Sequence, residues 1–179
     1  MNTTKRQIAE AFDRRLNDVG YDRTTLDDVA SELHISKKTI YVHFDGKRDI
    51  YAQIVAERAA REKMRLAAAV ATLPTYSARV VAVLTSLLDS ARAHIRDTDR
   101  EEWLREYEVA ADAFRQATGE LLRELITGGM EAGEFAPGDA EFAEHMISAM
   151  MLDYVVMVRD DPSIDHDSEL LGRVLKFLK

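Results

Sequence analysis

The chain has 179 residues, 31% of them charged, and a formal net charge of −8, which fits a globular protein with one domain or a small domain fused to a larger one. The absence of cysteine excludes disulfides, thiolate zinc sites and thiol-based redox sensing. Because the N-terminus lacks the apolar stretch of a secretory signal, and the longest apolar run (146–158) is shorter than the ~20 residues of a membrane span, we expect a cytoplasmic protein without a membrane contact.

Three short helices are predicted at the start of the chain. The apolar residues of the first recur at helical spacing, at Ile8, Phe12, Leu16 and Val19. Gly20 can close this helix in a left-handed conformation, and Thr25 is a suitable N-cap for a second helix. His34 lies in the turn that follows, and Ser36 is a suitable N-cap for the third helix. The spacing therefore predicts a helix-turn-helix.

Longer helices follow. The fourth begins at Asp45 or Gly46 and runs towards Ala71, and its first residues are expected to pack on the three short helices. Further helical patterns cover about 77–96, 99–132 (with a break allowed near Ala110), 139–158 and 167–178. Because no segment switches to the period-two alternation of strands, the predicted fold class is all-α. An N-terminal three-helix domain (1–46) is expected to pack on a larger helical domain (47–179).

Positive charge is concentrated around the third helix. Residues 1–49 carry nine basic and nine acidic side chains, so the negative net charge belongs to the rest of the chain. Lys37 and Lys38 stand in the first turn of the third helix and Lys47 opens the fourth, where exposed backbone N–H groups are already positive. Such positions favour an external anion, since helix N-termini bind phosphate and lysine adds a point charge. We interpret the segment as a DNA-binding helix-turn-helix; the alternative is a three-helix unit whose lysines are merely solvated.

The same segment resembles the DNA-binding domain of the tetracycline-repressor (TetR) family over roughly residues 5–55. The resemblance is carried by Thr24-Thr25, Asp28-Val29-Ala30, Ile35-Ser36-Lys37, Thr39-Ile40-Tyr41, His43-Phe44 and Lys47, with Gly20-Tyr21 ending the first helix. The chain departs from the family pattern at His34, where glycine is usual, and at Lys38, which replaces a commonly small residue. The resemblance implies that the partner is a double-stranded DNA operator. Since one recognition helix contacts too little DNA for specific binding, a homodimer reading a palindrome is expected.

The resemblance also implies a DNA-binding set, composed of Thr25, Ser36, Lys37, Lys38, Thr39, Tyr41, His43 and Lys47. Thr25 and Lys47 would contact phosphates. The third helix would face the major groove, where lysine can bind O6 or N7 of guanine. Tyr41 and His43 would contact backbone or base edges. As alternatives, Tyr41 is a half-buried core residue and His43 packs beside Phe44.

A second candidate site lies in the larger domain, where the resembled family encloses a small, often lipophilic inducer. The candidate lining residues are Trp103, Tyr107, Phe114, Met146, Met150 and Tyr154. The first three share one helical face, and methionine suits an adaptable pocket because its side chain is flexible and polarizable. Ordinary core is the alternative for each of them. The inducer is unknown, and the acidic balance of this domain favours a neutral or cationic one.

The last two predicted helices are candidates for a dimer interface. The helix at 139–158 is apolar on more than one face, so several neighbours must cover it, and the helix at 167–178 carries a further apolar face. In the resembled family two such helices form half of a four-helix interface; a monomer core is the alternative. Asp153 interrupts the apolar run. We expect it to reach solvent, with an arginine across an interface or a cationic ligand as the other possible partners.

Patterns of catalysis and metal binding are missing from the sequence. The acidic segment 160–167 lacks the glycine and glutamate of a calcium loop, and the histidines have no paired ligand spacing. We therefore expect no cofactor and no enzyme activity. The resulting hypothesis is a transcriptional regulator, a repressor that a small-molecule inducer releases from its operator. The alternatives are an all-α small-molecule-binding protein or enzyme that keeps the helix-turn-helix as scaffold, and a protein–protein adaptor.

Overall fold

The computed structural model describes the backbone of residues 3–97 and 100–179, and the side chains of residues 3–95, 109–113 and 115–179. The regular elements in these ranges are helices: α1 (Thr3–Val19), α2 (Leu26–Glu32), α3 (Lys37–Tyr41), α4 (Lys47–Val70), α5 (Tyr76–Asp97), α6 (Arg100–Glu131), α7 (Ala140–Asp160) and α8 (Asp167–Phe177). The predicted all-α class is confirmed, and α6 continues through Ala110 without a break. Within the described ranges, every helix is too short or too polar to cross a bilayer.

Capping residues and a tight turn bound α2 and α3 at the positions predicted from the sequence. Thr25 has extended backbone, and its hydroxyl oxygen accepts a hydrogen bond from the Asp28 amide at 3.2 Å, which caps α2. Ser36 caps α3 in the same way, through the Thr39 amide at 3.2 Å. Between the two helices His34 has a φ of 53°, a left-handed conformation that non-glycine residues adopt at a cost. The turn between α2 and α3 is therefore as tight as a helix-turn-helix requires.

One hydrophobic cluster holds the short helices on the start of α4. Its fully buried members include Ile8, Phe12, Val29, Ile40 and Ile50, drawn from all of the first four helices. α1 contacts α2 and α4, and α2 contacts α3. Three short helices offer only a thin core by themselves, so burial against α4 fixes their orientation. The expected packing of the fourth helix on the first three is confirmed.

A second cluster forms the interior of the larger part of the chain. α4 packs mainly on α6, which also contacts α5 and α7, while α5 contacts α7 and α8. Buried side chains at its centre are Leu66, Leu84, Ile126, Ile147 and Val174, one from each of α4 to α8. Each contributes about 1.5–3 kcal/mol by leaving water. α4 contributes buried side chains to both clusters and so links them directly. α6 also contacts the first cluster, through the partly buried Val109, Ala110 and Ala113.

The turn after α6 ties two distant segments together. Gly133 has a φ of 74° and ends the helix, and Phe135 is buried in the second cluster. The Glu134 carboxylate accepts hydrogen bonds from the Ser77 amide at 3.0 Å and the Tyr76 amide at 2.9 Å. These two bonds lower the pKa of Glu134. The carboxylate thereby caps the N-terminus of α5, which would otherwise leave orphan amides.

A polar cluster fastens α5, α7 and α8 to one another. The Arg92 guanidinium donates to the Asp167 carboxylate at 2.6 and 3.1 Å and to the Tyr154 hydroxyl at 3.2 Å. The Tyr154 hydroxyl donates to Asp167 at 2.6 Å and accepts the His166 amide at 2.8 Å. The hydrogen bond from Arg92 lowers the pKa of Asp167, and burial raises the pKa of Tyr154. The cluster therefore fixes the start of α8.

Candidate nucleic-acid interface and internal cavity

The short helix α3 presents an exposed surface. Its exposed side chains and cap are those of Ser36, Lys37, Lys38, Tyr41 and Val42. Tyr41 is 55% exposed and Val42 is 71% exposed, which does not fit the alternative of Tyr41 as a core residue. Thr39 and His43 are half-buried at the edge of this surface. Exposed large side chains such as Tyr41 and Val42, next to two lysines, are typical of a surface that binds another molecule.

Lys37 is paired with a carboxylate but remains open to solvent. Its ammonium nitrogen lies 2.9 Å from Asp27 Oδ2, and the two side chains are 49% and 72% exposed. The hydrogen bond to Asp27 raises the pKa of Lys37, so this lysine is fully charged at neutral pH. An exposed pair of this kind is worth at most about 1 kcal/mol, and salt or a polyanion can displace it. The pair therefore does not block the approach of a duplex.

Lys47 is positioned more firmly, at the first turn of α4. Its ammonium donates to the backbone oxygen of Asp22 at 3.3 Å and lies 4.1 Å from the centre of the Tyr21 ring. Together with the pair between Asp27 and Lys37, this contact gathers the N-termini of α2, α3 and α4 on one side of the molecule. Since each N-terminus carries partial positive charge, this side is the candidate nucleic-acid interface.

Thr25 lies at the N-terminus of α2 with its side chain exposed. Its hydroxyl donates to Asp28 Oδ2 at 2.7 Å while accepting from the Asp28 amide. The hydrogen bond from Thr25 lowers the pKa of Asp28. The exposed position of Thr25 fits the predicted phosphate contact. Its hydroxyl could donate to a phosphate only after breaking its hydrogen bond to Asp28.

A cavity of about 340 Å³ lies between α4, α5, α6 and α7. Its described lining residues are Tyr51, Val55, Arg58, Leu84, Leu87, Ser90, Ala91, His94, Ala110, Ala111, Arg115, Thr118, Gly119, Leu122, Ser148, Met151, Leu152 and Val155. The volume is at the lower end of the about 300–1,000 Å³ typical of small-molecule sites. Apolar side chains dominate, with a few polar groups among them, as in most such sites.

The predicted ligand residues of α7 lie away from this cavity. Met146 is 38% exposed, Met150 packs beside the second hydrophobic cluster, and Tyr154 belongs to the polar cluster with Arg92. α7 faces the cavity instead with the side chains of Ser148, Met151, Leu152 and Val155. The side chains of the other three candidates, Trp103, Tyr107 and Phe114, lie outside the described residues.

A line of apolar side chains on α7 faces solvent. Phe142, Met146 and Met157 are 58%, 38% and 47% exposed, and Phe177 of α8 is 47% exposed. Asp153 is exposed on the same helix, as expected. Large apolar groups recurring on one helix are rarely left uncovered in a stable protein. We call Phe142, Met146 and Met157 the terminal apolar face.

Acidic residues do not gather into a metal site in the described ranges. In the segment 160–167, the Asp161 carboxylate accepts hydrogen bonds from the amide and the hydroxyl of Ser163, at 3.0 and 2.6 Å. These bonds lower the pKa of Asp161, the one from the hydroxyl most. The segment is thus a turn closed by its own side chains, with Asp167 engaged by Arg92.

The helix-turn-helix geometry is matched by a known family. Residues 8–54 match the family model described as bacterial regulatory proteins, tetR family. The chain carries a TetR-family DNA-binding domain. The match begins in α1 and ends in α4, so it spans the whole first hydrophobic cluster, including the part that α4 supplies.

Curated relatives match a short stretch of the chain. IcaR, a negative transcriptional regulator of the biofilm operon icaADBC, is 56% identical over 36 residues in Staphylococcus aureus and 47% identical over 36 residues in Staphylococcus epidermidis. The aligned region covers 20% of this chain and 19–20% of each relative. The chain thus matches only about a fifth of the length of these relatives.

Solved structures extend the likeness to the whole fold. RolR in complex with resorcinol gives a TM-score of 0.77 at 15% identity, covering 98% of this chain and 87% of that one. FadR from Bacillus halodurans gives 0.65 at 20% identity, covering 99% and 95%. FadR from Bacillus subtilis, in complex with stearoyl-CoA, gives 0.58 at 21% identity, covering 96% of each chain. At these identities the likeness is one of fold.

Several residues at the cavity were not predicted from the sequence. Arg58, His94 and Arg115 come from three different helices and line the cavity among apolar neighbours. No pattern in the sequence links them, because their meeting depends on how α4, α5 and α6 pack. Of these three residues, only Arg58 lies in the helix that joins the two predicted domains, and that helix carries several other basic residues.

Proposed function

We propose that the chain is a homodimeric transcriptional regulator, a repressor that leaves its DNA operator when a small molecule binds the larger domain. The carrying observation is the gathering of Lys37, Lys47 and three helix N-termini on one exposed face of a TetR-family domain. IcaR is a negative transcriptional regulator, and the similarity to it supports repression for this chain. Such a regulator acts on the chromosome, so its place is the bacterial cytoplasm. We infer no catalytic role.

Residues 1–46 form the DNA-binding domain in this proposal. Lys37, Lys38 and Thr39 enter the major groove, where one lysine bound to guanine contributes about 1–3 kcal/mol of base discrimination. Ser36 holds the first turn of α3 in place through Thr39. The remaining members of the set contact phosphate or sugar: Thr25, Tyr41, His43 and Lys47. Phosphate contacts position the protein, and base contacts specify the sequence.

Residues 47–179 bind the ligand and form the dimer. The proposed ligand site is the cavity between α4 and α7, so the lining is revised to the face of α7 that carries Met151 and Val155. The ligand changes DNA affinity only through its different affinity for the DNA-bound and the free conformation, and DNA must weaken the ligand equally. Because α4 joins both hydrophobic clusters, it is the proposed transmitter.

The terminal apolar face supplies the proposed dimer interface. Two copies related by a two-fold axis would cover Phe142, Met146 and Met157 with their own counterparts. Two recognition helices one helical turn apart would then read a palindromic operator. The approximate helices 139–158 and 167–178 expected from the sequence correspond to α7 and α8.

A mobility-shift assay with the DNA upstream of the chain's own gene tests the proposed function. We expect retention that unlabelled upstream DNA competes away and that a shuffled sequence of equal composition competes at least 1,000-fold less well, on the order of the usual specificity ratio. The variant Tyr41→Ala tests the face itself, with Met64→Ala on the exposed side of α4 as a matched control. Equal competition by both DNAs, or equal retention of both variants, contradicts the proposal.

A further inference from the structure

We propose that the cavity between α4 and α7 takes a small organic anion with an apolar body, and that Arg58 is both its anchor and its link to the DNA-binding domain. This inference rests on the proposed function only for the consequence at DNA. The charge of the ligand follows from the cavity by itself. It differs from the neutral or cationic ligand that the acidic composition favoured.

The cavity has a basic lining in an acidic protein. Arg58, His94 and Arg115 contribute ionisable groups from α4, α5 and α6, and the lining residues that the structure describes include no aspartate or glutamate. The whole chain carries a net charge of −8, so the charge of the described lining is opposite in sign to that of the chain. Arg58 and Arg115 each pair with a carboxylate outside this lining, Asp13 and Asp112. Low-dielectric walls strengthen the attraction between such cations and an anion inside the cavity. A carboxylate can also accept two parallel hydrogen bonds from an arginine.

The rest of the lining sets the size and polarity of the ligand. Leucine, valine, alanine and methionine side chains form most of the wall, as in Leu84, Leu122, Met151 and Val155. A volume of about 340 Å³ suits a compact aromatic or short aliphatic body. The hydroxyl of Ser90 supplies a further hydrogen-bonding group, whereas the Ser148 hydroxyl already donates to Glu144 Oε1 at 2.6 Å.

Arg58 has a second set of partners on α1. Its Nη2 atom donates to the Asp13 carboxylate and to Asn17 Oδ1 at 3.1 Å. Arg58 and Asp13 side chains are 37% and 31% exposed, so the pair is half-buried at the boundary between α1 and α4. Both bonds use the same nitrogen, and each pair of guanidinium N–H groups that can bind a carboxylate in parallel (Nε with Nη2, or Nη1 with Nη2) includes that nitrogen.

A bound carboxylate therefore competes with Asp13 for one guanidinium. α1 rests on α4 and α2, and α2 in turn positions α3. Weakening the ion pair between Arg58 and Asp13 weakens the packing of α1 on α4. The orientation of α3, the recognition helix, then becomes less fixed. The coupling is reciprocal: DNA that holds α1 against α4 keeps Arg58 on Asp13 and weakens the carboxylate.

Calorimetric titration of the full chain tests the charge of the ligand. The probes are benzoate, phenylacetate, 1-naphthoate and octanoate, each compared with its primary amide, which keeps the shape and removes the charge. We expect at least one carboxylate to bind about tenfold or more tightly than its amide, the usual advantage of a hydrogen bond to a charged group. If no carboxylate outbinds its amide, the inference is overturned.

Two substitutions test the role of Arg58. Arg58→Gln should abolish the preference for the carboxylate, whereas Arg65→Gln on the same helix, away from the cavity, should retain it. Asp13→Asn keeps the anchor and removes its competitor, so carboxylate affinity should rise by about two- to fivefold while amide affinity stays unchanged. An Asp13→Asn variant with unaltered carboxylate affinity, folded by circular dichroism, contradicts the competition.

The effect on DNA separates this inference from the proposed function. In wild type the preferred carboxylate should weaken retention of the upstream DNA by about fivefold or more, and in Asp13→Asn this effect should shrink to less than about twofold. A carboxylate preference without any specific DNA retention would leave the ligand assignment standing and refute the regulator. Specific DNA retention with equal affinity for carboxylates and amides would do the opposite.

Discussion

The ammonium of Lys37 lies 2.9 Å from Asp27 Oδ2, and the two side chains are 49% and 72% exposed. A lysine in the first turn of a helix can be stabilised by a carboxylate of the protein or by an external anion. The pair stabilises the lysine within the protein, yet it costs little to separate, since exposed pairs contribute about 0–1 kcal/mol. Lys37 can therefore exchange Asp27 for a phosphate or a base edge without a large penalty.

Asp27→Asn should strengthen DNA binding. The substitution removes both the competitor of Lys37 and a negative charge beside the proposed interface, so affinity should rise by about two- to fivefold at moderate salt. Fluorescence anisotropy with the upstream DNA measures the change. Asp89→Asn on α5 alters the net charge equally but lies elsewhere, and it should have a smaller effect. Weaker binding by Asp27→Asn would mean that Asp27 positions Lys37 for the contact.

Lys47→Ala and Lys37→Ala should differ in kind. Lys47 is held by Asp22 and Tyr21 at a helix N-terminus, as a phosphate contact requires, so its loss should weaken operator and unrelated DNA by the same factor. Lys37→Ala should weaken binding to the operator by about 1–3 kcal/mol more than it weakens binding to unrelated DNA, because a base contact is lost. The ratio of the two affinities is measured for each variant. An identical ratio in both variants would refute this division of roles.

Phe142→Asp should separate the dimer. A carboxylate placed in an apolar interface has no partner there, and burying it costs several kcal/mol. Light scattering behind size exclusion should show a dimer for wild type and a monomer for the variant at about 10 μM, a concentration at which such a loss is decisive. Met64→Asp is the control, because Met64 is 65% exposed on α4 outside the terminal apolar face. A dimeric Phe142→Asp variant would move the interface elsewhere.

Asp167→Asn should destabilise the fold by about 1–3 kcal/mol at neutral pH, since Arg92 and Tyr154 would lose a charged acceptor. Because Arg92 lowers the pKa of Asp167 in the folded state, the contribution is complete above the ordinary carboxyl pKa of about 3.9 and is lost as the pH falls through the folded value. Urea unfolding should therefore give a constant difference from pH 8 to about pH 5, and a shrinking one below about pH 4. Glu169→Gln, which breaks an exposed pair with Arg173 on α8, should cost less than about 1 kcal/mol. A difference that grows towards acid would contradict the assignment.

The DNA-binding region could be predicted because its signals are local. Thr25 and Ser36 cap helices a few residues away, and Gly20 ends α1 with a φ of 82°. Even the departure at His34 has a local explanation, since histidine tolerates the left-handed conformation that the turn imposes. Hydrophobic periodicity and capping residues therefore suffice to predict helices whose contacts are close in sequence.

The cavity could not be predicted in the same way. α7 is apolar on several faces, so its sequence does not tell which methionine points inward; Met151 lines the cavity and Met146 faces solvent. The link between Arg58 and Asp13 joins residues 45 positions apart, and it depends on the angle at which α1 crosses α4. Both features are properties of helix packing, which the hydrophobic period does not encode.

Salt dependence of binding to the upstream DNA tests the central claim most directly, that the face with the N-termini of α3 and α4 binds DNA and that Lys47 neutralises a phosphate there. With about six phosphate contacts per dimer, log K should fall with log salt at a slope of about −5, and Lys47→Ala should make the slope shallower by about 1 to 2. A flat salt response, or a slope that Lys47→Ala leaves unchanged, would contradict the account.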